Sequence, residues 1–239
     1  MIKNFCVLIP AYNEELNIQQ VIREIKEIDK NIQIIIIDDG STDRTVRIAK
    51  NEKAIVLRQR KNLGSGEALK AGFKYALAQK YQYFLRLDAD GQHNSADISR
   101  LMEPLIKNQA DLVVGSRFVK KIRYKTPVYR LVCIKFISII YRCFYGFVIT
   151  DPTSGYRGYN RKTAEFLLDC YQSAYPEANS FAPLILNHFK IKEVSSNMRP
   201  RLYGKSSIKL IKGFSLFLLI VLRIITYRFR VEESVKGKN

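Results

Sequence analysis

The sequence predicts an α/β fold built on a largely parallel sheet. Three observations predict it. Short apolar runs alternate with stretches of helical period, the runs are rich in β-branched residues, and each run ends in a polar, turn-forming cluster. Phe5 to Ile9 (FCVLI) ends at Pro10 and reads as a buried strand. Glu14 to Ile28 places Leu16, Ile18, Val21, Ile22, Ile25 and Ile28 on one helical face. Ile32 to Ile37 (IQIIII) is nearly continuous, the pattern of a strand covered on both faces. Asp38 to Asp43 then breaks the pattern, and a helix is expected near Arg44 to Asn51. Ala54 to Arg58 is a third strand, Gly66 to Gln79 a helix, and Tyr83 to Leu87 a fourth strand closed by Asp88-Ala89-Asp90-Gly91. Asp97 to Asn108 is helical, and Leu112 to Gly115 is strand again.

In such sheets ligands bind at the carboxyl ends of the strands. Pro10–Glu14, Asp38–Asp43, Asp88–Gln92 and Gly115–Arg117 all fall at such ends, so a single site is expected there. After Thr150 the alternation fades, and the second half reads as lids and attachments, not as another domain.

Composition narrows the class. The chain has 239 residues, is 47% hydrophobic and 26% charged, and so excludes disordered and collagen-like proteins. Cys6, Cys133, Cys143 and Cys170 are scattered with no CxxC, and only two histidines are present, which argues against zinc or a redox dithiol and for a reducing compartment. Met1 to Ile9 runs straight into a strand, so no cleavable signal peptide is expected. The formal charge is +18 and is localised. Leu112–Thr150 and Val194–Val231 each carry eight basic residues and no acid, while the remainder is nearly neutral. Such a field attracts polyanions: nucleic acid, a nucleoside diphosphate or an anionic membrane. No nucleic-acid-binding motif accompanies the basic segments, so nucleic acid is not the expected partner.

Asp88-x-Asp90 offers two carboxylates to one hard divalent ion, with phosphates and water as further ligands. Gln92 and His93 lie just beyond. An Asp after a sheet strand accepts hydrogen bonds from ribose or base, and Asp38, Ser41 or Asp43 reads as a cap of the next helix; both hold together if Asp39 faces ligand and a neighbour caps. Asn62-Leu63-Gly64-Ser65-Gly66 lacks the spacing of a P-loop or a dinucleotide-binding turn and reads as a turn with helix entry.

Pro10-Ala11-Tyr12-Asn13-Glu14, Asp38-Asp39-Gly40-Ser41-Thr42-Asp43, Asn62-Leu63-Gly64, Asp88-Ala89-Asp90-Gly91-Gln92-His93, Gly115-Ser116-Arg117 and Asp151-Pro152-Thr153-Ser154-Gly155-Tyr156-Arg157 occur in the order seen in family 2 glycosyltransferases. Over roughly residues 5 to 207 the chain resembles their polyprenyl-phosphate branch, the dolichol-phosphate mannose synthase-like enzymes. The resemblance implies a GT-A fold, a nucleotide-diphosphate-sugar donor, Mg²⁺ or Mn²⁺, and inversion at the anomeric carbon. Carried over by motif, Pro10, Tyr12 and Glu14 line the base and ribose pocket beside Ile37 and Asp39, and Ala89 joins Asp88 and Asp90 on the donor. Asp88, Asp90 and Gln92 hold the metal. Arg117 and Arg201, with Lys205 nearby, bind the diphosphate or the acceptor phosphate.

Three features depart from the mannose synthases. Their basic motif ends R-x-x-G-x-S-K, whereas Arg201-Leu202-Tyr203-Gly204-Lys205-Ser206-Ser207 ends in serine. Tyr175-Pro176-Glu177-Ala178 and Arg201 to Ile208 are similar to bacterial cell-surface polysaccharide glycosyltransferases, in which UDP-sugars are common. No pair of long hydrophobic spans follows the catalytic region. The acceptor decides whether a base is required: a lipid phosphate is already anionic, whereas a sugar hydroxyl must lose a proton. Asp90 belongs to the catalytic set, and Asp151 and Glu177 are the candidate bases; Asp151 reads alternatively as a residue that caps or braces the turn with Ser154 and Arg157, and Arg157 is counted with the catalytic set.

Tyr129 to Tyr145 gathers Arg130, Lys135, Ser138 and Arg142 into one helical stripe among apolar residues, and Ile208 to Tyr227 is similar. Basic, aromatic-containing amphipathic helices lie in the headgroup plane. The expected organisation is a catalytic domain over 1–207, with a basic amphipathic helix at about 128–146, followed by a second such helix and tail over 208–239. The expected location is peripheral, on the cytoplasmic face of the cell membrane, beside a polyprenyl phosphate or lipid-linked acceptor. A membrane-protein partner or a second copy of the chain would also suit the apolar helices.

Overall fold

Residues 4–120, 126–170, 176–201, 203 and 217–229 are described by a computed structural model. The alternating half folds as its periodicity dictates. β1 (Phe5–Ala11), β2 (Gln33–Asp38), β3 (Ile55–Arg58), β4 (Tyr83–Arg86) and β5 (Leu112–Ser116) are joined by α1 (Ile18–Ile28), α2 (Thr45–Asn51), α3 (Ser65–Ala78) and α4 (Ile98–Ile106). Of the residues expected in the first helix, 14–17 form the turn that leads into α1. Then come α5 (Val128–Tyr145), β6 (Arg157–Asn160), α6 (Arg161–Cys170), α7 (Pro176–Asn179), α8 (Phe181–Leu186), β7 (Ile191–Ser195) and α9 over 217–229.

The seven strands lie in the order β3-β2-β1-β4-β6-β5-β7. All neighbouring pairs are parallel except those of β6, which runs antiparallel between β4 and β5. The second half is therefore not confined to lids and attachments: β6 fills the middle of the sheet and β7 its edge. Arg157-Gly158-Tyr159-Asn160 has no apolar alternation. It sits inside because Arg157 and Tyr159 find partners there and because Gly158 leaves room for Leu105, whose Cδ1 would lie 2.8 Å from an added Cβ.

Strand alternation sends side chains to two cores. Val7, Ile9, Ile34 and Ile36 pack under α1, α2 and α4, whereas Leu8, Ile35 and Ile37 pack under α3 with α5, α6 and α8. In the second core Phe73 meets Phe84 and Tyr159 edge to face, with centroids 5.7 and 5.1 Å apart.

The basic amphipathic helix at 128–146 forms as α5, with Ile134, Ile137, Ile140 and Tyr141 buried. Of the segment expected over 208–239, residues 217–229 form α9, whose Ile220, Val221 and Ile224 are buried in the same core; the rest of it lies outside the described residues. Phe136 meets Phe217 and Phe144 meets Phe229, which sets α5 and α9 side by side in the same direction. The Tyr145 hydroxyl donates to the Ile224 carbonyl at 2.6 Å. Val132, Phe136 and Ile139 of α5 and Leu218, Leu219 and Leu222 of α9 remain exposed. Among the described residues, no helix is long and apolar enough to cross a membrane.

Candidate active site

Parallel register brings the motif-bearing strand ends to one edge. Ala11 lies opposite Asp38, Asp38 opposite Arg58, and Leu8 opposite Arg86. The first two loops are zipped together: Asn13 N–H donates to Ser41 Oγ at 2.9 Å, Thr42 N–H to Asn13 Oδ1 at 2.9 Å, and Glu14 N–H to Thr45 Oγ1 at 2.8 Å. Asp39 is buried, and its two oxygens accept the N–H groups of Leu63 and Gly64, each at 2.8 Å. Gly40 has φ +80°, and a Cβ there would lie 2.8 Å from the Lys61 carbonyl carbon, so only glycine lets the loops close this tightly. Pro10 is half-buried at the end of β1, and Tyr12 is exposed beyond it.

Asp88, Ala89 and Asp90 follow β4, with Ala89 packed into the core. Asp90 Oδ1 accepts the Gln92 N–H at 3.1 Å. His93 Nδ1 accepts the Asp88 N–H at 3.1 Å, which leaves the ring proton on Nε2, 3.7 Å from Asp88 Oδ2. The His93 ring stacks on Tyr156, centroids 4.7 Å apart, and burial lowers its pKa to about 4, so it is neutral at pH 7. Burial and then the charge of Asp88 push the Asp90 carboxyl up to about 6. Burial also pushes Asp88 up, but the neighbouring His93, Arg86 and Arg201 outweigh it and hold Asp88 below its ordinary value.

These residues fit a hard divalent cation. Two carboxylates share one turn, and Asp90 is raised first by burial and then by the charge of Asp88, so a cation between them would offset part of that cost. No group of three or more His, Cys, Asp or Glu side chains suited to a metal occurs among the described residues, so these side chains alone would leave most of a cation's shell open.

Arg201 joins this turn to the β1 loop. Its guanidinium bonds Glu14 and lies 3.8 Å from Asp90 Oδ2. The segment around it is held down by pairing of His93 with Met198, by the Arg199–Glu24 ion pair, and by Tyr203 N–H donating to Asn17 Oδ1 at 3.1 Å. Lys205 lies outside the described residues.

Geometry chooses between the two readings of Asp151 and changes other sequence expectations. Asp151 is fully buried, and its carboxylate accepts from Arg117 N at 3.1 Å, Nε at 2.7 Å and Nη2 at 2.6 Å. A carboxylate so enclosed braces the loop and has no room for an acceptor hydroxyl. The same pairing commits Arg117 to the loop, where it also meets Thr153. Glu193 accepts the N–H groups of Thr150 and Asp151 at 2.7 and 2.8 Å and secures the loop from β7. Arg157 is fully buried, donates to the carbonyls of Pro152, Ser154 and Glu177 and to Ser180 Oγ, and is a positioning group. Ile37 is fully buried; its Cδ1 would lie 3.0 Å from a Cβ on Gly72 of α3, which makes it core and not pocket wall.

Glu177, at the start of α7, is carried toward Asp88 by a residue the motifs did not single out. Arg86, only 3% exposed, places Nη2 2.5 Å from Glu177 Oε1 and 3.4 Å from Asp88 Oδ1. One signal pointed to it: an arginine in an apolar strand two residues before Asp88, and hence on the same side of the strand.

The model of glycosyl transferase family 2 matches residues 6–168. The chain belongs to this family. It is a glycosyltransferase with the GT-A fold, and its relatives fall in the polyprenyl-phosphate branch that the motifs resemble. It is 30% identical over 203 residues to a UDP-N-acetylglucosamine–dolichyl-phosphate N-acetylglucosaminyltransferase of Methanococcus voltae, covering 77% of this chain and 80% of that one. It is 33% identical over 166 residues to a polyprenol monophosphomannose synthase of Mycolicibacterium smegmatis, covering 66% and 62%. In structure it is similar to glucosyl-3-phosphoglycerate synthase of Mycobacterium tuberculosis, crystallised with Mn²⁺, UDP and phosphoglyceric acid. The TM-score is 0.69 at 20% identity, over 94% of this chain and 78% of that one.

Proposed function

We propose that this glycosyltransferase moves a sugar from a nucleoside-diphosphate donor, a UDP-sugar in the first instance, to a polyprenyl phosphate, with inversion at the anomeric carbon. The observation that carries the reading is the meeting of Asp88, Asp90, Glu14 and Arg201 at the strand ends. The names of the two relatives supply the acceptor class. Asp88 and Asp90, with Gln92 beside them, would hold Mg²⁺ or Mn²⁺, which supplies positive charge against the departing diphosphate. Arg201 adds a planar, permanently charged donor on the same side. Pro10, Tyr12 and the Asp39–Gly64 clasp frame the place for base and ribose.

A polyprenyl phosphate attacks through an oxygen that is already anionic, so this chemistry requires no general base. A second reading, extension of a glycan on a lipid carrier, is favoured by Glu177: its carboxylate is less enclosed than Asp151 and stands one guanidinium away from Asp88. In both readings α5 and α9 lie peripherally on the anionic cytoplasmic leaflet, with Val132, Ile139, Leu219 and Leu222 toward the acyl chains.

A panel of UDP-, GDP- and dTDP-sugars with undecaprenyl phosphate and Mn²⁺ tests the reading by nucleotide release and lipid-linked product. A UDP-sugar giving glycosyl-phosphoprenol supports it. Product formed only on a lipid-linked glycan selects the second reading, and no lipid product with any donor contradicts both.

A further inference from the structure

We propose that Arg86 is a positioning residue that couples the donor side of the site to the acceptor side, by holding the carboxylates of Asp88 and Glu177 with one buried guanidinium. The inference rests on the transferase reading for what the two sides bind, but its geometry stands apart from it. Arg86 Nη2 lies 2.5 Å from Glu177 Oε1 and 3.4 Å from Asp88 Oδ1. The third wall is Gly155: a Cβ there would fall 2.9 Å from Asp88 Oδ2 and 3.3 Å from Arg86 Nη2, so the loop from Asp151 packs directly on this triad.

The backbone of Glu177 is anchored independently of Arg86. Arg157 Nη2 donates to the Glu177 carbonyl at 2.7 Å, and the Tyr141 hydroxyl of α5 donates to the Ala178 carbonyl at 2.5 Å. What Arg86 sets is therefore the direction of the Glu177 side chain, and with it the spacing of Glu177 from Asp88. A buried charge-assisted pair fixes geometry in this way, and loss of one partner leaves the other uncompensated. Both contacts come from Nη2 of a planar guanidinium, and lysine would keep the charge but, on a flexible stem, lose part of the fixed geometry.

The test is a double-mutant cycle on the full chain, read in two ways. In thermal unfolding, Arg86→Met and Glu177→Gln each lower the Tm, and the double variant unfolds no lower than the worse single variant, because the Arg86–Glu177 pair is then removed whole and Asp88 is left as it is in Arg86→Met alone. In steady-state transfer, Arg86→Met lowers kcat about 10- to 100-fold, the range of outer-shell partners. The KM for donor changes far less, Arg86→Lys recovers part of the loss, and Glu177→Gln added to Arg86→Met costs no further kcat. Additive losses in Tm and kcat would overturn the coupling. If the wild type turns over no donor, the transferase reading fails while the unfolding cycle still decides the role of Arg86.

Discussion

Arg201 bonds the carboxylate of Glu14, a partner 187 positions away in the chain. The contact lays the C-terminal segment across the front of the β1 loop and brings a guanidinium within 3.8 Å of Asp90. One cation thus faces a carboxylate from each of two strand ends, in the place where a diphosphate would meet the Asp88–Asp90 turn.

Replacing Arg201 with methionine should weaken nucleotide binding without unfolding the chain, because Tyr203 and Arg199 hold the segment through Asn17 and Glu24. Calorimetric titration with UDP and Mn²⁺ should show a loss of at least about 10-fold, the scale of one charge-assisted hydrogen bond. Unchanged affinity would remove Arg201 from the donor site.

Gly155→Ala should displace the Asp88 carboxylate, since the new methyl would lie 2.9 Å from Oδ2. Activity measured against Mn²⁺ concentration should then shift to higher half-saturation. A wild-type cation curve would mean that Asp88 does not take part.

The pH dependence of cation binding follows from Asp90, whose carboxyl is raised to about 6 by burial and by Asp88. The proton and the cation compete for the same oxygens. Affinity should level off above about pH 6 and fall by roughly tenfold per unit below it. An affinity flat from pH 7 to pH 5 contradicts the assignment.

His93 makes the opposite kind of demand, on stability. Its folded pKa is lowered from 6.5 to about 4 by burial, so the unfolded chain binds the proton first as pH falls. The contribution of neutral His93 is complete above about 6.5 and is lost between there and about 4, on the order of 3 kcal/mol in all. His93→Gln should flatten that window of the acid-unfolding curve.

Charges placed on the exposed apolar faces should detach the protein from membranes and leave it folded. Ile139→Glu with Leu222→Glu alters two exposed positions on neighbouring helices. Co-sedimentation with anionic vesicles at low salt should fall several-fold, with the thermal transition little changed. Equal binding by variant and wild type would direct attention to another surface.

The sequence made the first five strands legible because each is an apolar run followed by a helical period, as in Phe5 to Ile9 and α1. It concealed β6, because Arg157-Gly158-Tyr159-Asn160 carries no apolar alternation and becomes a strand only when the partners of Arg157 are assembled around it. The motifs marked Asp88, Asp90, Glu14 and Arg201, which do converge. They did not distinguish Asp151, silenced by Arg117, from Glu177, or Ile37 from a pocket wall, because enclosure depends on neighbours distant in sequence. Arg86 carried no motif, only its place in an apolar strand.

The central claim is that the Asp88–Asp90 carboxylates hold a divalent cation against the donor diphosphate during transfer to a lipid phosphate. The most direct measurement is the rate of lipid-linked product formation by wild type and Asp90→Ala, each with Mn²⁺ and after chelation. Product from wild type with Mn²⁺ alone is the expected result; undiminished product from Asp90→Ala, or from chelated wild type, would contradict it.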